Sequence, residues 1–246
     1  MDEYKKKIEK LNREKMPSHI GVIMDGNGRW AKKMKKPRIY GHREGTNAVR
    51  RIIEAAVEIG LDVLTIYAFS TENWRRPKKE VHALLNLIKN SLLKEINIMS
   101  KNNINVRFIG SKINLPDGYR DKLDEVSKKS WDNTGLKLNI AMNYGGRQEL
   151  LHAVKDIGRE LMGKKIGLNE ITQELISKKL YTNNLPDPDL IIRTSGEKRL
   201  SNFLVWQSAY SELWFTETLW PDFSKEEFIK AILDYQTRKR RFGDIK

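Results

Sequence analysis

The chain has no cysteine. That absence excludes disulfide bridges, thiolate metal sites and a cysteine nucleophile, and it suits a reducing compartment. The only histidines, His19, His42, His82 and His152, lack the spacing of a zinc site. No apolar run is long enough to span a bilayer, and lysines follow the first residues where a secretory signal would be apolar. A Gly-x-x-x-x-Gly-Lys-Ser/Thr loop is missing, which argues against a nucleoside triphosphatase of that kind. Repeats and low-complexity segments are missing too. Acidic residues are the minority, 32 against 46 basic ones, giving a net charge of +14 over 246 residues. Such a field attracts nucleic acid, anionic lipid or phosphorylated small molecules, and charge alone does not choose among them. The expectation is one cytoplasmic domain with a substantial core.

What is present is organised around residues 19–30, His-Ile-Gly-Val-Ile-Met-Asp-Gly-Asn-Gly-Arg-Trp. Ile20, Val22, Ile23 and Met24 form a short apolar run that Asp25 cuts off, the pattern of a strand covered on both faces. Gly26, Asn27 and Gly28 form a turn with unobstructed N–H groups, and Arg29, Trp30 and Ala31 open a helix. A carboxylate at a strand's carboxyl end, beside a glycine turn and a helix start, lies where open α/β sheets bind ligands. The turn favours an anion, Arg29 suits phosphate, and Asp25 repels that anion unless a divalent cation lies between them.

Residues 1–17 read as a basic helix with Tyr4, Ile8 and Leu11 at helical spacing, mostly solvated, or else touching a membrane surface or covering an apolar opening, and ended by Met16-Pro17. Residues 18–246 read as one domain without an internal linker. After the Tyr40-Gly41-His42-Arg43-Glu44-Gly45 segment the spacing predicts a helix to about Ile59, stopped by Gly60. Strands follow over 63–68, 104–109, 136–142 and 190–192, and helices over 79–100, from Pro116 to about Trp131, over 147–162 and over 169–181. Ser224 with Glu227 reads as a capping box for a last helix ending in Arg238-Lys239-Arg240-Arg241. This alternation predicts an α/β fold with a mainly parallel sheet flanked by helices. Polar clusters follow the strands at Asp25, Ser70 to Trp74, Asn143 to Arg147 and Arg193 to Glu197, and right-handed crossovers gather such ends at one sheet edge.

The assembled inventory is one acid, Asp25, with Arg29, Arg38, Arg76, Arg193, Arg199 and His42. That many guanidiniums suggests two phosphate-bearing groups. Taken singly, Arg38, Arg76 and Arg199 would be solvated surface charges, Trp74 a packing residue and His42 a turn residue. A phosphatase using Asp25 as nucleophile would want a second acid two residues on, where Asn27 stands.

Five blocks in order change those odds: Asp-Gly-Asn-Gly-Arg-Trp, Gly-His-Arg-Glu-Gly, Tyr-Ala-Phe-Ser-Thr-Glu-Asn-Trp-x-Arg-Pro, Asn-Tyr-Gly-Gly-Arg, and Ile-Arg-Thr-Ser-Gly-Glu-x-Arg-Leu-Ser-Asn-Phe through Trp220-Pro221-Asp222-Phe223. Together they resemble the cis-prenyltransferase (undecaprenyl diphosphate synthase) family over about residues 18 to 243. The resemblance implies sequential condensation of isopentenyl diphosphate onto an allylic diphosphate such as farnesyl diphosphate, giving a long Z-polyprenyl diphosphate; a shorter-chain synthase is the alternative. It implies Mg2+ held by Asp25 and Glu212, and an allylic diphosphate cradle of Gly26, Asn27, Gly28 and Arg29 with Trp30, Arg38 and His42 beside it. It also implies a closing loop, Ser70-Thr71-Glu72-Asn73-Trp74 with Arg76, and an isopentenyl diphosphate site at Arg193, Arg199, Leu200 and Ser201. The family's usual proton acceptor falls on Asn73, and since an amide is a poor base, Asn73 is expected to position water or a diphosphate oxygen.

The resemblance further implies an apolar tunnel between the sheet and the 79–100 helix, roofed near Ala68 and floored near Leu136. Members are homodimers whose C-terminal region adjoins the partner's site, although the basic run at 238–241 reads first as a favourable helix C-terminus; the product would partition to the membrane, with the enzyme peripheral at its surface. Met142, after Ala141, and Ser195, in Thr-Ser-Gly-Glu rather than Thr-Gly-Gly-Glu, depart from the pattern. Asp-Asp-x-x-Asp, the mark of the unrelated trans-prenyltransferases, is absent. No nucleic-acid motif accompanies the charge, so nucleic acid is not an expected partner. An inactive partner subunit would not be expected to keep Asp25, Arg193, Arg199 and Ser201 together.

Overall fold

The structure, a computed structural model, describes residues 3–116 and 118–240. A six-stranded sheet runs through it: β1 (His19–Ile23), β2 (Val63–Ser70), β3 (Asn105–Ile109), β4 (Lys137–Tyr144), β5 (Leu190–Arg193) and β6 (Glu212–Phe215). Their spatial order is β3-β4-β2-β1-β5-β6, and every neighbouring pair is parallel. From β1 the chain steps to β2 on one side and only later returns to β5 on the other. The connections therefore part at the carboxyl end of β1, the crevice where such sheets bind ligands. All five β1 residues are buried because helices cover both faces.

Among the described residues, eight α-helices flank the sheet: α1 (Glu3–Glu9), α2 (Asn27–Lys33), α3 (Arg38–Glu58), α4 (Lys78–Lys101), α5 (Tyr119–Lys129), α6 (Gly146–Met162), α7 (Gln173–Lys179) and α8 (Lys225–Thr237). The apolar stripes of α3, α4 and α8 join Ile20, Leu64, Leu138 and Ile192 in the larger core. A smaller core on the other face gathers Ile23, Ala141, Tyr144 and Phe203. There the buried Glu149 takes bonds from the Tyr144 hydroxyl at 2.5 Å, the Tyr181 N–H at 2.7 Å and the Gln207 amide at 3.1 Å. Burial pushes its carboxyl up against those bonds. The network pins the 200–208 segment, which feeds residues into the site.

Several expectations are corrected. Gly41 and Gly45 lie inside α3, which begins at Arg38. A Cβ on Gly41 would stand 2.0 Å from the Asn27 carbonyl oxygen, and one on Gly45 2.3 Å from Asn27 Oδ1. These glycines let α2 and α3 meet rather than make a turn. The N-terminal segment is exposed over most of its length, but Tyr4 and Leu11 are buried in the larger core, and the Tyr4 hydroxyl donates to Glu58 at 2.7 Å. Ser224 caps α8 by accepting the Glu227 N–H at 3.3 Å, but the Glu227 carboxylate turns to Thr218 at 2.7 Å, so the reciprocal half of the box is not made. The 169–181 helix is a 3-10 turn followed by the shorter α7. The sheet's last strand, β6, was not foreseen.

Candidate active site

The turn after β1 sets the geometry. Gly26 has φ 111°, open to glycine without strain, and Thr194 after β5 clamps Asp25 by accepting its N–H at 3.0 Å and donating to its carbonyl at 2.6 Å. Asp25 Oδ2 receives Arg193 at 3.0 Å and Arg29 at 3.3 Å. Burial raises the Asp25 carboxyl, but the bond and charge of Arg193, then Arg29 and Ser195, outweigh it and hold it below the usual carboxylate range. Arg193 is buried, 4% exposed, and its other nitrogen donates to Ser201 Oγ at 2.6 Å and to the Arg199 carbonyl. Arg29 also donates to the Ser195 carbonyl at 2.8 Å and to the Ser195 hydroxyl. A basin of about 420 Å³ opens over Asp25, Gly26, Gly28 and Arg29, ringed by Lys32, Lys36 and Arg38. Because α2 is only seven residues long, these side chains rather than its dipole supply most of the positive charge.

A second cationic group lies beside it. Arg38 and Arg76 share one carboxylate, Glu80, at 3.3 and 3.2 Å. Burial first, then the neighbouring charges of Arg76 and Arg38, lowers the His42 pKa to about 4, so the ring is neutral at ordinary pH. Its Nε2, like Asn27 Oδ1, is buried without a partner among the described residues. Burial and Arg38 likewise lower the pKa of Arg76 against the pull of Glu80. Two guanidiniums and an imidazole around one carboxylate leave positive charge for an anion.

The segment after β2 folds as a 3-10 turn over Thr71–Arg75. Asn73 Oδ1 accepts the Ser70 N–H at 3.0 Å, which leaves the Asn73 NH2 as a donor and no base. Trp74 packs edge-on against Phe69 and donates to Asn143 at 2.7 Å, Thr71 donates to Glu72 at 3.3 Å, and Glu72 accepts Asn202 at 2.9 Å. Trp30 stacks on Tyr40 and donates to Asp222 at 2.7 Å. Leu200 packs against the smaller core, and the Arg199 side chain pairs with Glu197 at the rim.

Glu212 is not brought to this group. It opens β6 and pairs in register with Leu190, which lies beside Ile20, whereas Asp25 follows the other end of β1. Its carboxylate is held by Arg238 at 2.8 Å, so within one chain it shares no metal with Asp25. Arg238 also binds Asp234, and Arg240 binds Asp189; Arg241 lies outside the described residues. No group of three potential metal-binding side chains occurs among the described residues.

From the basin an apolar cleft of about 830 Å³ runs between α3, α4 and the sheet, starting at Met24, Asn27 and His42 and reaching Met99 and Ile104. Ala68 lines it, as expected. The floor comes from Ile140 and Ile104; Leu136 is core, and Met142 lines a different pocket near Trp131.

Residues 23–243 match the family model described as putative undecaprenyl diphosphate synthase. The chain belongs to that family. It is similar to the isoprenyl transferase of Streptococcus agalactiae, 51% identical over 245 residues and 98% of each chain. The isoprenyl transferase of Heliobacterium mobile is 49% identical, covering 97% of this chain and 92% of that one. Among solved structures, lavandulyl diphosphate synthase from Lavandula x intermedia, in complex with dimethylallyl diphosphate, superposes with a TM-score of 0.91 at 33% identity over 94% and 100% of the two chains. A probable undecaprenyl diphosphate synthase from Campylobacter jejuni gives 0.77 at 34% identity over 95% and 100%. As a prenyltransferase of this family, the protein is an enzyme with an entirely parallel version of the expected sheet.

Sequence reasoning missed several members of the site. Ser195, Thr194, Glu80, Glu197 and Asn202 hold the arginines and loops in place; all but Glu80 lie in the fifth block, yet the sequence assigned none of them a role. The Ser195 signal was present as a departure from glycine.

Proposed function

We propose that the enzyme condenses isopentenyl diphosphate sequentially onto an allylic diphosphate, with farnesyl diphosphate as starter, giving a long Z-polyprenyl diphosphate of the undecaprenyl type. The observation that carries this reading is the apolar cleft opening directly beside two arginine groups, Arg29 with Arg193 on the ionised Asp25 and Arg38 with Arg76 on Glu80. The cleft's run along α3 favours a long product over a short one. Allylic diphosphate would lie over Gly26, Asn27, Gly28 and Arg29 with Arg38, His42 and Arg76 alongside. Isopentenyl diphosphate would be held by Arg193, Arg199 and Ser201.

The donor set fits magnesium held by one protein carboxylate, since this ion is commonly bound by one or two carboxylates with substrate phosphates and waters. Both arginine bonds fall on Asp25 Oδ2, so Oδ1 has no arginine partner. Bound there, the ion would act as a Lewis acid toward the leaving diphosphate. The arginines stabilise charge as the allylic C–O bond breaks and pyrophosphate departs. Electrons of the isopentenyl double bond form the new C–C bond at the allylic carbon, and a diphosphate oxygen or a water takes the proton whose loss restores a double bond with cis geometry. Neutral His42 and the Asn73 NH2 orient oxygens rather than remove that proton, and binding energy from two diphosphates aligns the reacting carbons.

A homodimer associating near β6, where Val205, Tyr210 and Leu213 are exposed, and a peripheral position from which the product enters a membrane, complete the proposal. No helix among the described residues is long and apolar enough to cross a membrane. The test is incorporation of labelled isopentenyl diphosphate into butanol-extractable lipid from farnesyl and geranyl starters, with magnesium and with chelator. Chelator-sensitive incorporation that yields long chains supports the reading; oligonucleotide binding without incorporation overturns it.

A further inference from the structure

The cleft has an apolar bed and a charged rim. Ile53, Ile88, Leu92 and Ile140 line its depth, while its edges on α3 and α4 are exposed and polar. Halfway along, an ion pair crosses the rim: Arg50 of α3 donates to Glu95 of α4. Both residues line the cleft; the Glu95 side chain is 18% exposed and that of Arg50 56%, so the pair lies across the outer rim with its carboxylate end against the cleft. The cavity continues past the pair to Val57, Ile98 and Asn102, where the lining apolar residues Val57 and Ile98 are 38% and 53% exposed. The pair therefore separates a covered segment from an open apolar mouth.

Along α3, Arg50 lies eight residues beyond His42, and Glu58 eight beyond Arg50. At the helical rise each interval is about 12 Å. A five-carbon unit extends about 5 Å with ordinary carbon–carbon bonds, so each interval holds roughly two units. A three-unit starter anchored at the basin ends near the pair, and every later addition pushes chain beneath it.

We propose that Arg50 and Glu95 form a strap that influences product length by guiding the growing chain beneath the rim to the distal mouth, from which the rest of a long product extends. The pair is a specificity determinant acting through α3 and α4 and makes no contact with the diphosphates. This rests on the prenyl-transfer reading above. Without the strap the seam opens halfway along, and the chain leaves sideways into detergent or lipid before reaching the mouth.

The test measures product lengths by mass spectrometry after dephosphorylation, from farnesyl diphosphate in detergent, for wild type, Arg50→Ala, Glu95→Gln and the charge swap Arg50→Glu/Glu95→Arg. Rates of the first condensation are scored separately. Both single variants should shift the distribution by about two five-carbon units toward shorter chains, the length of the distal interval, with first-condensation rates near wild type. The swap should return the distribution toward wild type. Unchanged or longer products in the single variants, or a swap no better than either single variant, would overturn the strap. Wild type that makes no prenyl product would instead remove the reading beneath it.

Discussion

Ser195 occupies a left-handed conformation, φ 78°, that costs a side-chain-bearing residue about 1 kcal/mol. The structure gives a return for that strain, because its hydroxyl and carbonyl both fix Arg29. Ser195→Gly should therefore raise folding stability by about 1 kcal/mol in thermal melts while raising KM for the allylic diphosphate severalfold, the loss of one hydrogen bond. The pH profile follows from two shifted groups. Asp25 is held below the usual carboxylate range and stays ionised as pH falls until that lowered value is passed, and His42 stays neutral until about 4. Neither group should give kcat an acid limb between about pH 6 and 8; an inflection there that His42→Gln removes would contradict the assignment. Asp25, Arg29 and Arg193 were legible because carboxylate and guanidinium chemistry names itself at strand ends. Ser195 and Glu80 were not, since a supporting residue announces itself only through the neighbour it holds.

Contact between α2 and α3 depends on two side-chain-free positions. A methyl group at Gly41 would sit 2.0 Å from the Asn27 carbonyl, so Gly41→Ala must push α3 off the diphosphate turn. Its expected cost is about 2 kcal/mol or more in denaturant midpoint, with a larger fractional loss of kcat/KM than of stability. His19 performs a different task, joining β1 to Thr65 of β2 at 2.7 Å and to the Pro186 carbonyl at 2.7 Å. Burial lowers its pKa to about 4 from the ordinary 6.5. The unfolded chain thus binds the proton first, and stability should fall as pH drops from about 6.5 to about 4, by up to about 3 kcal/mol from this residue. His19→Gln should flatten that part of the pH dependence. Long apolar periodicity let both ends of α4 and the far end of α3 be read from sequence to within a residue or two. The four-residue β6 could not be read, being too short for any period to show. The start of α3 was hidden because glycines that permit close packing look the same in sequence as glycines that make turns.

At the scale of the molecule, a charge of +14 should draw two diphosphates to a site already rich in arginine. Raising ionic strength from about 0.05 M to about 0.5 M should raise both KM values severalfold while kcat changes less, because screening weakens approach more than contacts made in the site. The α/β class and the gathering of polar clusters at one sheet edge were legible because strand ends kept delivering such clusters. The separation of Glu212 from Asp25 was not, since it depends on the parallel register of a strand that sequence did not reveal. The central claim is that the lone carboxylate after β1 serves the departure of pyrophosphate. Its most direct test compares incorporation of labelled isopentenyl diphosphate by wild type and Asp25→Ala at saturating farnesyl diphosphate and magnesium. The account predicts a loss of about 10³-fold or more in the variant with its melting transition retained. Incorporation by Asp25→Ala equal to wild type would contradict it.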